Sequence, residues 1–369
     1  MDFTLTDTQE AIAGLAEQIF GGQVSVDRLK EIERSDSRFD TRLWSELARS
    51  NLVGLCLPED DGGSGMGVIE LALIVEQQGR RLAQVPLLWT AVAAMTIAEF
   101  GNHGQRSALT RVISGDDVLT LALSEPGVGD PLDPAVEAEP TDDGWCLSGT
   151  KLSVPWAHVA TGVLVPARVA GRADLVVGLL DPMAPGVTRH RAEATNHEVL
   201  THLDLDRVSV PLVAGPADGA RATRFAMERA LVGLCALQVG VAEEALAQAA
   251  AYTSTRLQFG KPLSSFQSTS ARAADAYIDT EAMRATMWQA AWRLDTGLDA
   301  SLAVEVAKWW ASEAGQRVVH ATQHLHGGIG ADVEYPIHRY FLWGKQIEDT
   351  LGGGSAHLAR IGAALAGTP

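Results

Sequence analysis

The chain has 369 residues, which is enough for two or three domains of ordinary size. Its 46% hydrophobic and 20% charged residues are typical of a folded globular protein and exclude a disordered one. The 46 acidic residues outnumber the 29 basic ones and give a net charge of −17, which argues against a nucleic-acid-binding role. The cysteines (Cys56, Cys146 and Cys235) form no CxxC pair, so we expect neither a disulfide framework nor a thiolate metal site.

The sequence shows no targeting signal that we recognise. Its N-terminal residues lack the basic segment and apolar core of a secretory signal. The longest apolar helical stretch begins at Ala230 and is interrupted by Gln238, Glu243 and Glu244, which do not suit a bilayer. We therefore expect a soluble, cytoplasmic protein that does not enter a membrane.

The N-terminal part, residues 1–118, has the apolar spacing of helices. Thr6 and Gln9 have the spacing of a capping box at the start of the first helix. Residues 58–65 are rich in Gly and Asp and predict a loop. Helical spacing then resumes over 69–81 and 89–100.

Between residues 119 and 216 the pattern changes to short apolar runs separated by Gly, Pro and Asp, which is typical of an antiparallel β domain. The runs lie at 118–123, 145–147, 163–165, 175–180 and 208–210. From residue 217 onward helical spacing returns, over 230–252, 270–294 and 301–320. This order predicts an α+β chain with a small β domain between two helical domains.

Three candidate motifs carry weak signals. The glycines at 327, 328 and 330 follow a predicted helix, whereas a dinucleotide-binding fingerprint follows a strand. The segment 352–355 lacks the spacing of a nucleophile elbow. His320 and His324 are one helical turn apart but have no acidic third ligand, so we predict no metal site.

The segment 256–267 is more informative. It places Arg256 at the end of a long helix, followed by Phe259 and Gln267 around a Gly-x-Pro turn. A guanidinium can hold a pyrophosphate through two parallel hydrogen bonds, and a flat ring and an amide lie close by. The alternative is a helix-terminal arginine, a core phenylalanine and a surface glutamine, and this segment taken alone favours that alternative.

The same segment resembles the R-x-x-F-G-x-P-x-x-x-x-Q hallmark of the acyl-CoA dehydrogenase family. Other stretches resemble further motifs of that family in the same chain order: 43–79, 123–129, 145–151, 326–330 and 334–336. Because so many ordered matches do not arise by chance, the chain is identified as a member of this family.

The resemblance implies an N-terminal helical domain (1–118), a middle antiparallel β domain (119–216) and a C-terminal four-helix bundle (217–369). It also implies an acyl-CoA substrate, FAD as the cofactor and an electron-transfer flavoprotein as the electron acceptor. The implied assembly is an oligomer in which a neighbouring subunit holds the adenosine diphosphate end of each FAD.

The residues that the resemblance implies as FAD contacts fall into two groups. Those expected in the β domain are Ser124, Gly129, Asp130, Ser153 and Pro155. Those expected in the helical C-terminal domain are Arg256, Phe259, Gln267, His324, Gly327, Gly328, Gly353 and Ser355. Of these, Arg256, Phe259 and Gln267 would hold the FAD that is bound mainly to the neighbour.

Neither position of the family's catalytic glutamate holds an acid in this sequence. The family's reaction removes the α-proton of an acyl-CoA and therefore needs a carboxylate base. The C-terminal loop position holds Leu351, with Glu348 three residues earlier, and the helix position holds Ala230, with Glu228 two residues earlier. Glu228 would need a local register shift to act as the base, and a solvated acid in a first helical turn is the favoured interpretation.

Further departures from the family pattern lie at flavin contacts. Ser153 and Pro155 remove an aromatic wall and a hydroxyl, His324 replaces a glutamine, and Asp130 adds an acid beside a pyrophosphate. The half of the site in this chain's own β domain is degraded, whereas the half offered to a neighbour is intact. The pattern predicts the base-lacking subunit of an α2β2 heteromer, similar to actinobacterial acyl-CoA dehydrogenases that act on steroid side-chain CoA thioesters.

Three other interpretations stay open. One is a purely structural partner that makes no flavin contact, against which the intact segment 256–267 argues. A self-sufficient homomeric acyl-CoA dehydrogenase would use Glu228 or Glu348 as a relocated base. A flavin monooxygenase on the same fold would need no thioester base.

Overall fold

The computed structural model describes residues 4–127, 129–142 and 144–367. Helices precede the sheet: α1 (Asp7–Gln23), α2 (Val26–Arg34), α3 (Thr41–Arg49), α4 (Val68–Arg81), α5 (Leu87–Phe100), α6 (His103–Ser107) and α7 (Leu109–Ile113). The strands follow: β1 (Leu119–Leu121), β2 (Glu137–Thr141), β3 (Gly144–Pro155), β4 (Gly162–Val169), β5 (Leu175–Leu180), β6 (Val187–Glu193), β7 (Val199–Val210) and β8 (Leu212–Ala214). The C-terminal helices are α8 (Gly219–Thr255), α9 (Gln267–Asp295), α10 (Ser301–His326), α11 (Ile337–Asp349) and α12 (Gly354–Leu365). A hairpin of β9 (Leu257–Gln258) and β10 (Lys261–Pro262) lies between α8 and α9.

The chain packs into two compact units, which we call the helical unit and the sheet unit. The helical unit contains the residues up to Leu29, Val68–Ala83 and the residues from Leu231 onward. The sheet unit contains Lys30–Gly67 and Gln84–Ala230. The helices predicted within 1–118 are therefore shared, with α1 and α4 in the first unit and α3, α5, α6 and α7 in the second. The domain boundaries at residues 118 and 216 stay a prediction.

The start of α1 confirms the capping box. The Gln9 N–H donates to Oγ1 of Thr6 (3.3 Å), and the Thr6 N–H donates to Oε1 of Gln9 (3.0 Å). These bonds satisfy N–H groups that a helix start leaves without an intrahelical acceptor. The Gln9 amide also donates to Glu70 of α4 (2.8 Å), so the cap helps to fix α1 against α4 within the helical unit.

The sheet has the strand order β6-β7-β3-β2-β4-β5-β8, with β1 paired to β4. The neighbours are antiparallel as predicted, except that β4 runs parallel to both β1 and β2. The exception arises because β3 runs back along β2 and the chain then crosses to the other side of β2. On that side β4 runs in the direction of β2 again.

In the helical unit, α8, α9 and α10 share an apolar core. It includes Val239 and Ala242 of α8, Ala276 and Met283 of α9, and Ala314 and Val318 of α10. By length and mean hydropathy (1.6) α8 would be long and apolar enough to cross a membrane, contrary to our expectation from the sequence. However, 78% of that stretch is buried inside the protein, as in the core helix of a globular protein.

Helices α4, α8 and α9 are joined by largely buried charged groups. Arg284 of α9 donates from Nη1 to Glu76 of α4 (2.8 Å) and from Nη2 to Glu243 of α8. Arg80 of α4 also pairs with Glu243. Glu76 is only 6% exposed, and without Arg284 its carboxylate would keep only the longer contact with Arg80 (3.5 Å).

We predict that Arg284→Met lowers the free energy of unfolding by about 1 to 3 kcal/mol, because it leaves two partly buried carboxylates with Arg80 as their shared partner. Arg317→Met is the matched control, since Arg317 of α10 pairs with Asp279 at a more exposed site. The control should cost less than about 1 kcal/mol. Urea unfolding of both variants measures the difference, and equal losses would contradict the role assigned to Arg284.

Candidate functional site

In the sheet unit, a buried ion pair joins Glu125, which follows β1, to Lys151 of β3. The two side chains are 2% and 1% exposed. The Glu125 carboxylate also accepts the N–H groups of Ala135 and Val136, which closes the loop that follows. Burial lowers the pKa of Lys151 to about 8, and the adjacent carboxylate opposes this shift. We did not predict this pair from the sequence. Each partner is a single charged residue that follows a short apolar run, and nothing in the sequence links the two.

Ser124 and Asp130 lie at the ends of the segment 124–130. The Ser124 carbonyl accepts the N–H of Leu152 (2.8 Å), which places Ser124 beside β3. The Asp130 carboxylate accepts the N–H of Leu132 (2.9 Å), so a backbone donor of its own loop meets its charge. Gly129 is exposed beside Asp130, and Val128 of the family-like motif lies outside the described residues.

At residues 153–155, where β3 ends, backbone groups form hydrogen bonds with other residues of this chain. Ser153 has a φ of +49°, and its N–H donates to Nδ1 of His202 (2.9 Å). Pro155 is buried and has no N–H, and its carbonyl accepts the hydroxyl of Thr120 (2.6 Å). Neither position leaves a backbone N–H for a ligand. The register of β3 against β7 is also irregular here.

Helix α8 places Ala230 and Glu228 differently from what the sequence led us to expect. Because α8 begins at Gly219, Glu228 lies in its third turn and is 9% exposed. The expectation of a solvated acid in a first helical turn is therefore wrong. Its carboxylate is not free, and Ala230 is fully buried. The early start depends on a close approach that the sequence does not reveal, since a Cβ at Gly219 would lie 1.9 Å from the Leu175 carbonyl oxygen.

In the helical unit, the loop after α11 is held by a second buried lysine. Lys308 of α10 is 0% exposed. Its Nζ donates to the carbonyls of Ile347 (3.2 Å), Glu348 (3.0 Å) and Gly352 (3.1 Å), and to Oγ of Ser312 (2.9 Å). The ammonium group thus satisfies carbonyls that the end of α11 leaves without helical partners. It fixes the loop on which the family's base would lie.

Leu351 occupies the expected base position in this loop. It is half-buried with a φ of +60°, and its alkyl side chain cannot accept a proton. The Glu348 side chain pairs with Lys345 of the same helix and is 16% exposed. Since Lys308 and Ser312 both hold the Glu348 carbonyl, the loop would have to come apart before this carboxylate could reach the Leu351 position.

The hairpin β9–β10 presents Phe259 at its tip. Phe259 and Gly260 both have positive φ angles, +52° and +78°, as in the type I′ turn of a two-residue hairpin. A left-handed backbone costs a residue with a side chain about 1 to 2 kcal/mol. Phe259 is also 92% exposed, so the interpretation of Phe259 as a core residue is wrong. Its ring meets Phe266 of the same unit edge-on, with 6.3 Å between the ring centroids, and still stays almost fully open to solvent.

Arg256 and Gln267 flank this hairpin. The Arg256 carbonyl accepts the N–H of Leu263 (2.9 Å), which closes the base of the hairpin. The Arg256 side chain is exposed, and its guanidinium has no acceptor among residues 4–127, 129–142 and 144–367. Gln267 is exposed at the first position of α9. The three residues of the motif therefore lie on one short, exposed segment.

The glycine positions of the helical unit leave room for a ligand. Gly327 has a φ of +64°, and a Cβ at Gly327 or Gly328 would meet no atom within 4 Å. His324 is exposed in the last turn of α10, just before them. Gly353 is the N-cap of α12 and supplies no capping side chain, and Ser355 is exposed in the first turn. The carboxylates of Asp349 and Glu313 lie close to this helix start, so it already faces negative charge.

The chain is similar to known proteins over its whole length. The family model described as acyl-CoA dehydrogenase, N-terminal domain matches residues 6–116, and the corresponding C-terminal domain model matches residues 218–365. The acyl-CoA dehydrogenase FadE27 from Mycobacterium tuberculosis is 37% identical, with 100% of both chains covered. The chain belongs to the acyl-CoA dehydrogenase family. Members of this family are FAD-dependent oxidoreductases that act on the CH–CH group of acyl-CoA.

Two solved structures of acyl-CoA dehydrogenases are similar over the whole chain. A chain of the ChsE4-ChsE5 complex from Mycobacterium tuberculosis is 35% identical, with a TM-score of 0.92 and 100% of both chains covered. A chain of a variant of the Tcur3481-Tcur3483 steroid ACAD is 47% identical, with a TM-score of 0.94 and 99% of both covered. The order of an N-terminal helical domain, a middle β-sheet domain and a C-terminal helical domain is that of the family, which confirms the α+β class.

We predict that Lys308 makes the stability of this acyl-CoA dehydrogenase chain rise with pH in the alkaline range. Burial lowers the pKa of Lys308 to about 8 from its ordinary 10.5, while the charges of Cys235, Asp349, Glu348 and Glu305 oppose the shift. Between these two values the unfolded chain holds more protons than the folded chain, so this group's contribution to the free energy of unfolding increases with pH. The total gain is about 2 to 3 kcal/mol.

The measurement is urea unfolding of the natural chain and of Lys308→Met from pH 7.5 to 10.5. The difference in unfolding free energy between them should grow with pH. Ser312→Ala is the control, because it removes a neighbouring hydroxyl but keeps the ammonium group and should therefore keep the slope. A difference that stays flat or shrinks would show that Lys308 is not held as described.

Proposed function

We propose that this chain is the subunit of a heteromeric acyl-CoA dehydrogenase that lacks its own catalytic glutamate. It contributes the β9–β10 hairpin to the FAD that is bound mainly by its partner. The observation that carries the proposal is the loop at 347–352. Lys308 and Ser312 hold the backbone of this loop through hydrogen bonds to its carbonyls. Leu351, however, occupies the position at which the family's reaction needs a proton acceptor.

The chemistry explains why the base has to come from elsewhere. Converting an acyl-CoA to its α,β-unsaturated thioester requires a base for the weakly acidic α-proton, and such a base typically contributes about 10²- to 10⁴-fold in rate. Neither Leu351 nor Gly352 can accept a proton. Glu348 is paired with Lys345, and Glu228 is buried and not free. The geometry therefore favours a base on the partner over a relocated base in this chain.

The helical unit fits the adenosine diphosphate end of FAD. The exposed Arg256 guanidinium suits a pyrophosphate, and the open space at Gly327 and Gly328 lets a ligand approach the backbone closely. The exposed Phe259 ring offers a flat apolar surface. When bound, FAD supplies the acceptor for the hydride that leaves the β-carbon.

The sheet unit fits a flavin poorly. Ser153 donates its backbone N–H to His202, and Pro155 has no backbone N–H. Neither residue therefore has a backbone N–H left to donate to a flavin. The Asp130 carboxylate adds negative charge on a turn that the family resemblance assigns to phosphate contacts. These features support a flavin pocket that belongs to the partner rather than to this chain.

The relatives support the partner and the class of substrate. ChsE4-ChsE5 is a complex, and Tcur3481-Tcur3483 is a steroid ACAD. We infer an α2β2 assembly with a homologous subunit that carries the glutamate, and a bulky steroid side-chain CoA thioester as substrate. The electron acceptor is an electron-transfer flavoprotein, and the reaction takes place in the cytoplasm.

We predict that Phe259→Asn weakens FAD binding in the co-purified heteromer without destabilising this chain. Asparagine suits the left-handed turn position, so the free energy of unfolding should stay level or rise by up to about 1 kcal/mol. Loss of the ring should raise the FAD dissociation constant about two- to tenfold. The flavin absorbance that remains after dialysis measures the second effect.

Phe259→Tyr is the control and should retain FAD, because it keeps a flat ring. Arg256→Gln should weaken FAD binding by about tenfold or more, since it removes a charged donor to the pyrophosphate. Arg49→Gln, at an exposed arginine that pairs with Glu46, should have no effect. Full retention of FAD in both Phe259→Asn and Arg256→Gln would overturn the role assigned to the hairpin.

A further inference from the structure

A polar cavity of about 440 Å³ opens beside the edge strand β6 of the sheet unit. Its lining consists of His158, Val187, Thr188, Arg189, Arg191 and Thr201. The volume lies within the roughly 300 to 1,000 Å³ that is usual for small-molecule sites. Neither the family resemblance nor the function proposed above assigns a role to these residues.

Two exposed arginines of β6 lie on the side of the sheet that is buried in the neighbouring strand β7. Arg189 is opposite Leu203 of β7, and Arg191 is opposite Thr201. Leu203 and Thr201 are 0% and 2% exposed, so this face is the inner one. In a chain with a net charge of −17, two adjacent guanidinium groups on one face form a local positive field.

Two buried polar atoms of the lining lack partners. Nε2 of His158 lies 2.7 Å from the Ser37 carbonyl, so it carries the proton and donates, which leaves Nδ1 to face another group. Within the part of the chain that the structure describes, neither His158 Nδ1 nor Thr201 Oγ1 has a hydrogen-bond partner. Buried polar atoms are rarely left unsatisfied in folded proteins, so a missing ligand or water is expected here.

The charges around the cavity leave it positive. Glu193, the carboxylate on the same face of β6, is already paired with Arg38 (3.3 Å) and with His197 (2.9 Å). Arg191 donates to the backbone carbonyl of Asp36 (2.6 Å), which holds its guanidinium in place, and Glu193 offsets part of its charge. Arg189 has no acceptor among the residues that the structure describes.

We propose that this cavity is a binding site for the phosphate group of a small molecule. Guanidinium groups bind phosphate oxygens through paired, charge-assisted hydrogen bonds, and the Thr201 hydroxyl and the His158 ring supply further polar contacts. Inward-pointing charges on an edge strand can also serve only to prevent pairing with another sheet. That role does not account for the unpartnered Thr201 and His158, whereas a bound phosphate ester does.

The test is isothermal titration calorimetry of the full chain with inorganic phosphate and with phenyl phosphate at constant sodium chloride. We expect saturable binding of both, tighter for the ester because the cavity is larger than a bare ion, and little binding of acetate. Arg189→Gln should weaken binding by about tenfold or more, because it removes a charged hydrogen-bond donor. Arg207→Gln is the matched control, since Arg207 is an exposed arginine of the adjacent strand that pairs with Glu139.

Thr201→Val is the second variant, chosen because it keeps the shape of a buried strand residue. It should weaken phosphate binding several-fold while thermal unfolding shows that the chain still folds. The proposal is overturned if no binding is detected up to about 10 mM ligand. It is also overturned if acetate binds as tightly as phosphate, or if Arg189→Gln and Arg207→Gln have the same effect.

Discussion

A buried ammonium group must be surrounded by hydrogen-bond acceptors, and this constraint fixes a loop in each unit of the protein. In the helical unit, Lys308 gathers three backbone carbonyls and one hydroxyl around the end of α11. In the sheet unit, Lys151 pairs with Glu125, which in turn binds two N–H groups of the following loop. Each loop carries residues that the family resemblance assigns to the active site.

Because of this constraint, the shape of the loop that carries the base position does not depend on which side chain occupies that position. The loop around Leu351 keeps its shape through backbone carbonyls, which do not depend on the side chain at position 351. A glutamate can therefore be replaced by leucine there while the surrounding structure is kept. The hairpin at Phe259 is the opposite case, because a strained and exposed residue is kept where asparagine would suit the backbone better. Under the proposed function, the first position has no catalytic role in this chain, whereas the second contacts the FAD of the partner.

Much of this was predictable from the sequence where the signal is local. The Thr6–Gln9 capping box and the helical spans follow from short-range spacing, and the motif at 256–267 together with the other motifs in the same order identifies the family. Strands β2 and β6 gave no apolar run, because most of their residues are exposed or charged. The parallel pairing of β4 depends on how the chain crosses the sheet, which local patterns do not encode.

The site was less predictable where it depends on contacts between distant residues. Nothing near Lys151 or Lys308 in the sequence indicates which carbonyls or carboxylate each would meet. Glu228 was misjudged for a similar reason, since the start of α8 depends on the close packing of Gly219 against Leu175. The edge cavity combines residues from β6, β7 and the loop after β3, and the sequence places them far apart.

The central claim is that the proton acceptor of this acyl-CoA dehydrogenase belongs to the partner subunit. The most direct measurement is the anaerobic bleaching of flavin by a steroid side-chain CoA thioester, in a heteromer whose partner carries glutamine in place of its catalytic glutamate. With this chain unaltered, the account predicts that the bleaching rate falls by about 10²- to 10⁴-fold. A rate equal to that of the natural heteromer would mean that this chain supplies its own base, and would contradict the account.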